Sequence, residues 1–231
     1  LERFCWAAAG TPTIYEAIYP KSIEWLKSLC EFDNKIKHIN IQDLDNLLGE
    51  LSKISGIMNI EVGSDENEIF SKLIERLSER KINVESEQVK ELMNTLSKIY
   101  AIPDHLHALC NMLGDGLVPS NAKEGYLARM MSRRVMRMRD ELGINKTLPE
   151  LAEFHLDVNF ELDRFKQTKS GVLEILSVEE ERYAETLRRG KNIVSNELKK
   201  HSKDINELPD EFYFKLNDSH GIPPGMAVQI A

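Results

Sequence analysis

Apolar residues recur three and four positions apart through almost the whole chain, while two-residue alternation is scarce and short. At about 3.6 residues per turn, that spacing gives each segment one apolar face, the pattern of a helix that packs on other helices. The chain is therefore expected to be mainly α, a multi-helix domain with little or no β structure. Glycine and proline punctuate it. Residues 1–10 end at Gly10, and Thr11-Pro12-Thr13 breaks the chain and restarts it. Leu44, Leu47, Leu48, Leu51 and Ile54 mark a helix from Asp43 that Gly56 stops, and Ile69, Leu73, Ile74 and Leu77 mark another from Ser64. Val89, Leu92, Met93, Leu96 and Ile99 predict a helix opened by Ser86 and ended by Pro103, then a short one from Asp104 to Leu113. Longer helices are expected from Ala122 to Leu142, from Thr147 to Phe165 with Pro149 in the first turn, and from Gly171 to Lys200. The tail reads as a helix, a turn at Ser219-His220-Gly221, and a Pro-Pro restart.

At 231 residues there is chain enough for one large domain or two small ones. Hydrophobic content of 42% with 29% charged residues excludes a disordered chain. No apolar run approaches the roughly 18 residues of a membrane span, so no membrane role is expected. Residues 1–10 make a poor signal peptide, with an acid at position 2 and a short apolar run. The absence of an initiator Met suggests a stretch from inside a longer protein. Cys5, Cys30 and Cys110 are odd in number and far apart, which fits a reducing, cytoplasmic compartment.

The formal charge is −8, yet between Asn121 and Arg139 there are six basic side chains and one acid, Glu124. On a helix, Leu127, Met131, Val135, Met138 and Leu142 fall within a sector of roughly 80°, the expected core face. Arg129, Arg133 and Arg137, four apart, line a separate stripe. Like charges at that spacing repel by a few tenths of a kcal/mol per pair, whereas phosphate oxygens would turn the stripe attractive. The plain alternative is a basic face answered by acids on neighbouring helices. Arg134, at the edge of the apolar sector, reads as an internal structural pair. Before the helix, Pro119 stiffens the loop, and Ser120 or Asn121 can cap the first turn. Asn121 is equally open to a recognition role.

Other signals carry less. His105 and His107 point about 200° apart on a helix and cannot share a metal without unwinding it. No metal site is expected. The run Glu179–Arg182 reads as a solvated face.

Residues 115–137, DGLVPSNAKEGYLARMMSRRVMR, resemble the DGV-PSN, GY and RR segment of alanyl-tRNA synthetases. LERFCWAAAGTPTIYEAIYP at 1–20 resembles the end of their class II motif 3 in the archaeal style. EEERYAETLRRGKNIV at 179–194 and FKLNDSHGIPP at 214–224 resemble two further family segments, in the same order. Residues 31–100 add nothing to the likeness.

The resemblance implies that residues 1–20 form the C-terminal edge of the catalytic domain. Residues 21–231 would be the helical tRNA-recognition region, with a division into two subdomains near 143–148. The family activates alanine with ATP and Mg2+, then transfers it to the end of tRNA(Ala). Arg3 matches the motif 3 arginine that contacts ATP phosphates. With the rest of that site elsewhere, this stretch alone is expected to be monomeric and inactive in aminoacylation and to hold no cofactor. Zinc would belong to the family's editing domain. The implied task is reading a G·U wobble pair in the acceptor stem. Asp218 and Asn121 match the residues that check it, and Arg133 matches a basic residue near the stem. Arg129 and Arg137 extend the stripe as phosphate contacts. Two departures stand out: Asn217 where the family has Tyr, and His107 where Arg or Ser is common. A non-catalytic helical RNA-binding module and a helical protein-interaction domain are the alternatives.

Overall fold

The apolar spacing is realised as eleven helices in a computed structural model that describes residues 2–37, 44–57, 66–82, 84–160, 165–201, 209–220 and 227. No strand occurs among the described residues. In order the helices are α1 (Glu2–Ala9), α2 (Ile14–Ile18), α3 (Pro20–Leu29), α4 (Phe32–Ile36), α5 (Leu44–Ile57) and α6 (Glu66–Glu79). There follow α7 (Ser86–Gly114), α8 (Lys123–Glu141), α9 (Leu148–Asn159), α10 (Lys169–His201) and α11 (Asp210–His220). No described helix is long and apolar enough to cross a membrane.

The core is organised around α7, which packs on α3, α8, α9 and α10. Its buried residues, from Val89 through Leu92, Leu96, Ile99, Ile102, Leu106 and Leu109 to Leu113, repeat every three or four positions. The expected break at Pro103 does not occur, and α7 runs on for 29 residues. A proline removes one intrahelical hydrogen bond, but here its ring is buried against α3 and α9, beside Leu26, Leu151 and Phe154. Packing on both sides holds the helix together where local preference would end it. Gly56 likewise falls within α5 and does not stop it.

Helix starts follow their side chains. Thr13 and Thr147 each form a capping box, with Glu16 and Glu150 respectively. Gly10 takes the left-handed φ of 65° that ends α1. Aromatic contacts tie α3 to α9, where Trp25 stacks on Phe154 at 3.9 Å. Below that pair lies a buried polar node. His155 Nδ1 is 3.2 Å from Ser22 Oγ and 3.1 Å from Asn159 Nδ2, while its Nε2 is 3.4 Å from His107 Nδ1. An amide N–H can only donate, so Nδ1 accepts and the proton sits on Nε2. His107 also stacks on Phe160 at 4.3 Å, which makes this departure from the family pattern a packing residue.

Candidate nucleic-acid interface

The turn between α7 and α8 is built by hydrogen bonds at both ends. At the end of α7, Gly116 N–H donates to Leu113 O and Leu117 N–H to Met112 O, each at 3.0 Å. This double closure needs a left-handed residue, supplied by Gly116 at φ 92°. At the start of α8 the chain doubles back, and Ser120 N–H donates to Gly125 O at 2.9 Å. A Cβ on Gly125 would stand 2.6 Å from Val118 O and 2.3 Å from Ser120 Oγ. The missing side chain is therefore what lets residues 118–120 lie on the helix. An alanine in place of a helical glycine ordinarily stabilises by about 1 kcal/mol. Here Gly125→Ala is expected to lower the melting temperature, checked by thermal unfolding against wild type, because a backbone oxygen must move.

Neither Ser120 nor Asn121 caps α8. The capping position falls on Ala122, with no side-chain bond to it, and Ser120 Oγ instead donates to Ala122 O at 2.9 Å. Asn121 is exposed, and its Oδ1 accepts a hydrogen bond from Arg129 Nη1. The same guanidinium donates through Nε to both oxygens of Glu179, at 3.1 and 3.3 Å, and through Nη2 to Pro119 O at 3.4 Å.

The arginine stripe faces α10. Arg133 Nε is 3.4 Å from Glu179 Oε1, and Arg137 Nε is 3.9 Å from Glu141 Oε1. Glu179 is only 1% exposed, so it is a buried anchor and not part of a solvated run. Its neighbour Glu180 accepts from Arg139 and, at 2.9 Å, from Leu148 N–H at the start of α9. Burial disfavours the Arg139 charge, but the hydrogen bonds it donates to Glu180 and Asp140 outweigh that and hold its pKa above the ordinary value. Tyr183, one turn beyond Glu179, is raised by burial and by Asp140, against the lowering effect of Arg137, Arg139 and Arg133. Like-charge repulsion along the stripe is thus relieved from within the fold, the simpler of the two sequence expectations. Arg134 is exposed and has no ion pair among the described residues, so it is not the internal pair expected.

The core face of α8 is buried as expected at Val135, Met138 and Leu142, but its start departs from expectation. Its first half buries Gly125, Ala128 and Ser132, while Leu127 is 45% exposed. Tyr126, Leu127 and Met130 therefore point outward, with Val118 of the preceding turn also exposed. An exposed apolar strip beside an exposed asparagine and Arg134 can meet the sugar and base-edge surface of a groove. Asp218 falls within α11, because the helix runs through His220 where a turn was expected. The side chains of Asp218 and Arg3 lie outside the described residues.

Comparison with known proteins identifies what this arrangement belongs to. The family model described as tRNA synthetases class II (A) matches residues 1–231. Over its whole length the chain is 34% identical to the alanine–tRNA ligase of Methanosarcina barkeri and 36% to that of Methanothrix thermoacetophila. It is 37% identical to that of Thermococcus kodakarensis over 234 aligned residues. In each case the chain spans 24% of the relative's length. By the match along its entire length, this chain belongs to the class II (A) family of tRNA synthetases.

Proposed function

We propose that this chain is the acceptor-stem-reading part of an alanine–tRNA ligase that works in the cytoplasm and joins alanine to tRNA(Ala) with ATP. The observation that carries the reading is the end-to-end match to alanine–tRNA ligases, combined with Asn121 exposed on a turn that backbone and arginine contacts hold in place. In this reading residues 1–20 are the edge of the catalytic domain and residues 21–231 grip the tRNA, with a subdomain division near 143–148. Arg3 contributes one contact to ATP, whose Mg2+-assisted chemistry belongs to the whole ligase, as does the editing domain's zinc.

The selected feature is a G·U wobble pair. In A-form RNA the minor groove is wide and shallow, and a wobble guanine leaves its 2-amino group unpaired there. A carboxylate at Asp218 accepts from that amino group, and Asn121 checks the pair beside it. Arg133 and Arg137 contribute charge toward the backbone, which positions the stem without specifying it.

The test is binding of the chain to alanine-tRNA acceptor-stem minihelices with G·U intact or replaced by G·C, across a salt series. G·U is expected to be preferred about tenfold or more, and the preference is expected to vanish in Asn121→Ala and Asp218→Ala. Equal, salt-dependent binding of both would favour a non-selective RNA-binding module. No binding would favour a protein-interaction domain.

A further inference from the structure

The contacts of Arg129 fix more than the position of the turn. A guanidinium has hydrogen-bond donors only, so the atom of Asn121 that faces Arg129 must be the carbonyl oxygen. That choice orients the whole side-chain amide. The –NH2 end is left pointing away from Arg129, and no described residue takes its protons. Arg129 is itself held. Glu179 accepts from its Nε with both oxygens, and Glu179 is buried on α10, a helix packed against α8. Pro119 O takes a third edge of the same guanidinium, so the arginine grips the turn on both sides of Ser120. Gly125 lets that turn lie close enough to be gripped.

We infer that Glu179 and Arg129 are positioning residues that set the polarity of Asn121, so that this asparagine meets the nucleic acid as a hydrogen-bond donor. The inference rests on the acceptor-stem reading above and deepens it. An outward donor seeks an acceptor on the groove floor or a ribose hydroxyl, complementing a carboxylate, which seeks a donor. The two side chains then ask different questions of the same base pair. Arg129 is thereby assigned to the protein side of the interface, since Glu179, Asn121 and Pro119 O engage all three of its nitrogens. Lysine cannot replace it, because a single ammonium cannot span three acceptors in the fixed fork of a guanidinium.

The experiment uses the full-length ligase that carries this chain and reads the ratio of kcat/KM for a G·U minihelix to that for its G·C counterpart. Loss of folded enzyme lowers both terms alike and leaves the ratio unchanged, so a merely structural defect does not register. Four variants are compared: Asn121→Ala, Asn121→Asp, Arg129→Lys and the double variant Asn121→Ala/Arg129→Lys. Aspartate keeps an oxygen for Arg129 and strengthens that contact, but it has no –NH2 to present. The expected result is a ratio lowered about tenfold in all three single variants, with the double variant falling no further than Asn121→Ala. A ratio lost in Asn121→Ala but kept in Asn121→Asp or Arg129→Lys would overturn the inference and leave the acceptor-stem reading standing. A ratio unchanged even in Asn121→Ala would overturn that reading, and the inference with it.

Discussion

Replacing Glu179 with alanine is expected to lower the unfolding free energy of the chain by about 3 kcal/mol, read from the urea midpoint at constant slope. The carboxylate is 1% exposed and accepts hydrogen bonds from Arg129 and Arg133, whose side chains are 14% and 23% exposed. Removing it leaves two guanidiniums beside a buried surface with their nearest acid gone. Breaking a buried pair costs roughly 3–5 kcal/mol, and the lower end applies because both arginines still reach water. Glutamine retains an acceptor and should lose about half as much. The contrast is Glu68→Ala on α6. Glu68 pairs with Lys72 at 2.7 Å, but both side chains are about 60% exposed, and no measurable change is expected there. If the two substitutions behaved alike, α10 would not be anchored to α8 through its carboxylate.

The second large effect is in pH. Burial, and secondarily the His107 imidazole beside it, push the His155 pKa from an ordinary 6.5 down to about 3. The neighbours agree with the neutral form: the Asn159 amide donates toward Nδ1, and a proton there would set two N–H groups against each other. In the unfolded chain the imidazole takes up its proton at the ordinary value, so the unfolded state binds more protons across the interval between the two. Stability is therefore complete above about pH 6.5 and declines as pH falls toward 3, by about 5 kcal/mol at most. His105, also lowered by burial and by Arg134, acts in the same direction. Carboxylates with depressed values, such as Glu150 at about 2, add their own losses only as pH falls below the ordinary carboxylate value of 4.5. The interval between pH 6.5 and 4.5 therefore isolates the histidines. Denaturant unfolding at half-unit steps should show a slope there in the wild type and a flatter one in His155→Gln. An equal slope in both would mean that His155 is not held neutral.

Helix content was largely legible in the residue pattern. The expected spans for α8 and α10 match the observed Lys123–Glu141 and Lys169–His201 closely, because Gly143 closes α8 and a long apolar stripe carries α10. What escaped had physical causes. Pro103 read as a stop because local rules omit the packing that carries α7 through it. The second half of the α8 face was read correctly at Val135, Met138 and Leu142, but its first half was misjudged because hydropathy weights large side chains, whereas Gly125 and Ala128 are buried by what approaches them. Glu179 carried a signal that its charge concealed. It stands in register with Val172, Leu176, Tyr183 and Thr186, which are buried at three- and four-residue spacing. A carboxylate on an apolar stripe needs a cation, and two arginines four apart on another helix need an acid. Asp218 drew attention through resemblance alone, and Asn121 read equally as a cap until the resemblance was added, since nothing in periodicity marks either residue. The contact between Asn121 and Arg129 needed coordinates, because Asn121 lies in the turn before α8, outside the helical register that places Arg129.

The close seating of α8 has a consequence for sequence variation. Gly125, Ala128 and Ser132 line the buried side of its first half, and Ser132 Oγ already satisfies itself on Ala128 O at 2.8 Å. In most cores the damaging substitutions are truncations, which leave holes. Along this seam there is almost nothing to truncate, so harm comes from enlargement. Related chains should accept glycine, alanine and serine interchangeably at 128 and 132, while a single added methyl at 125 is rejected. Tolerance in this segment would then run in the reverse order of side-chain volume, and the exposed Leu127 and Met130 beside it would vary freely unless a partner holds them.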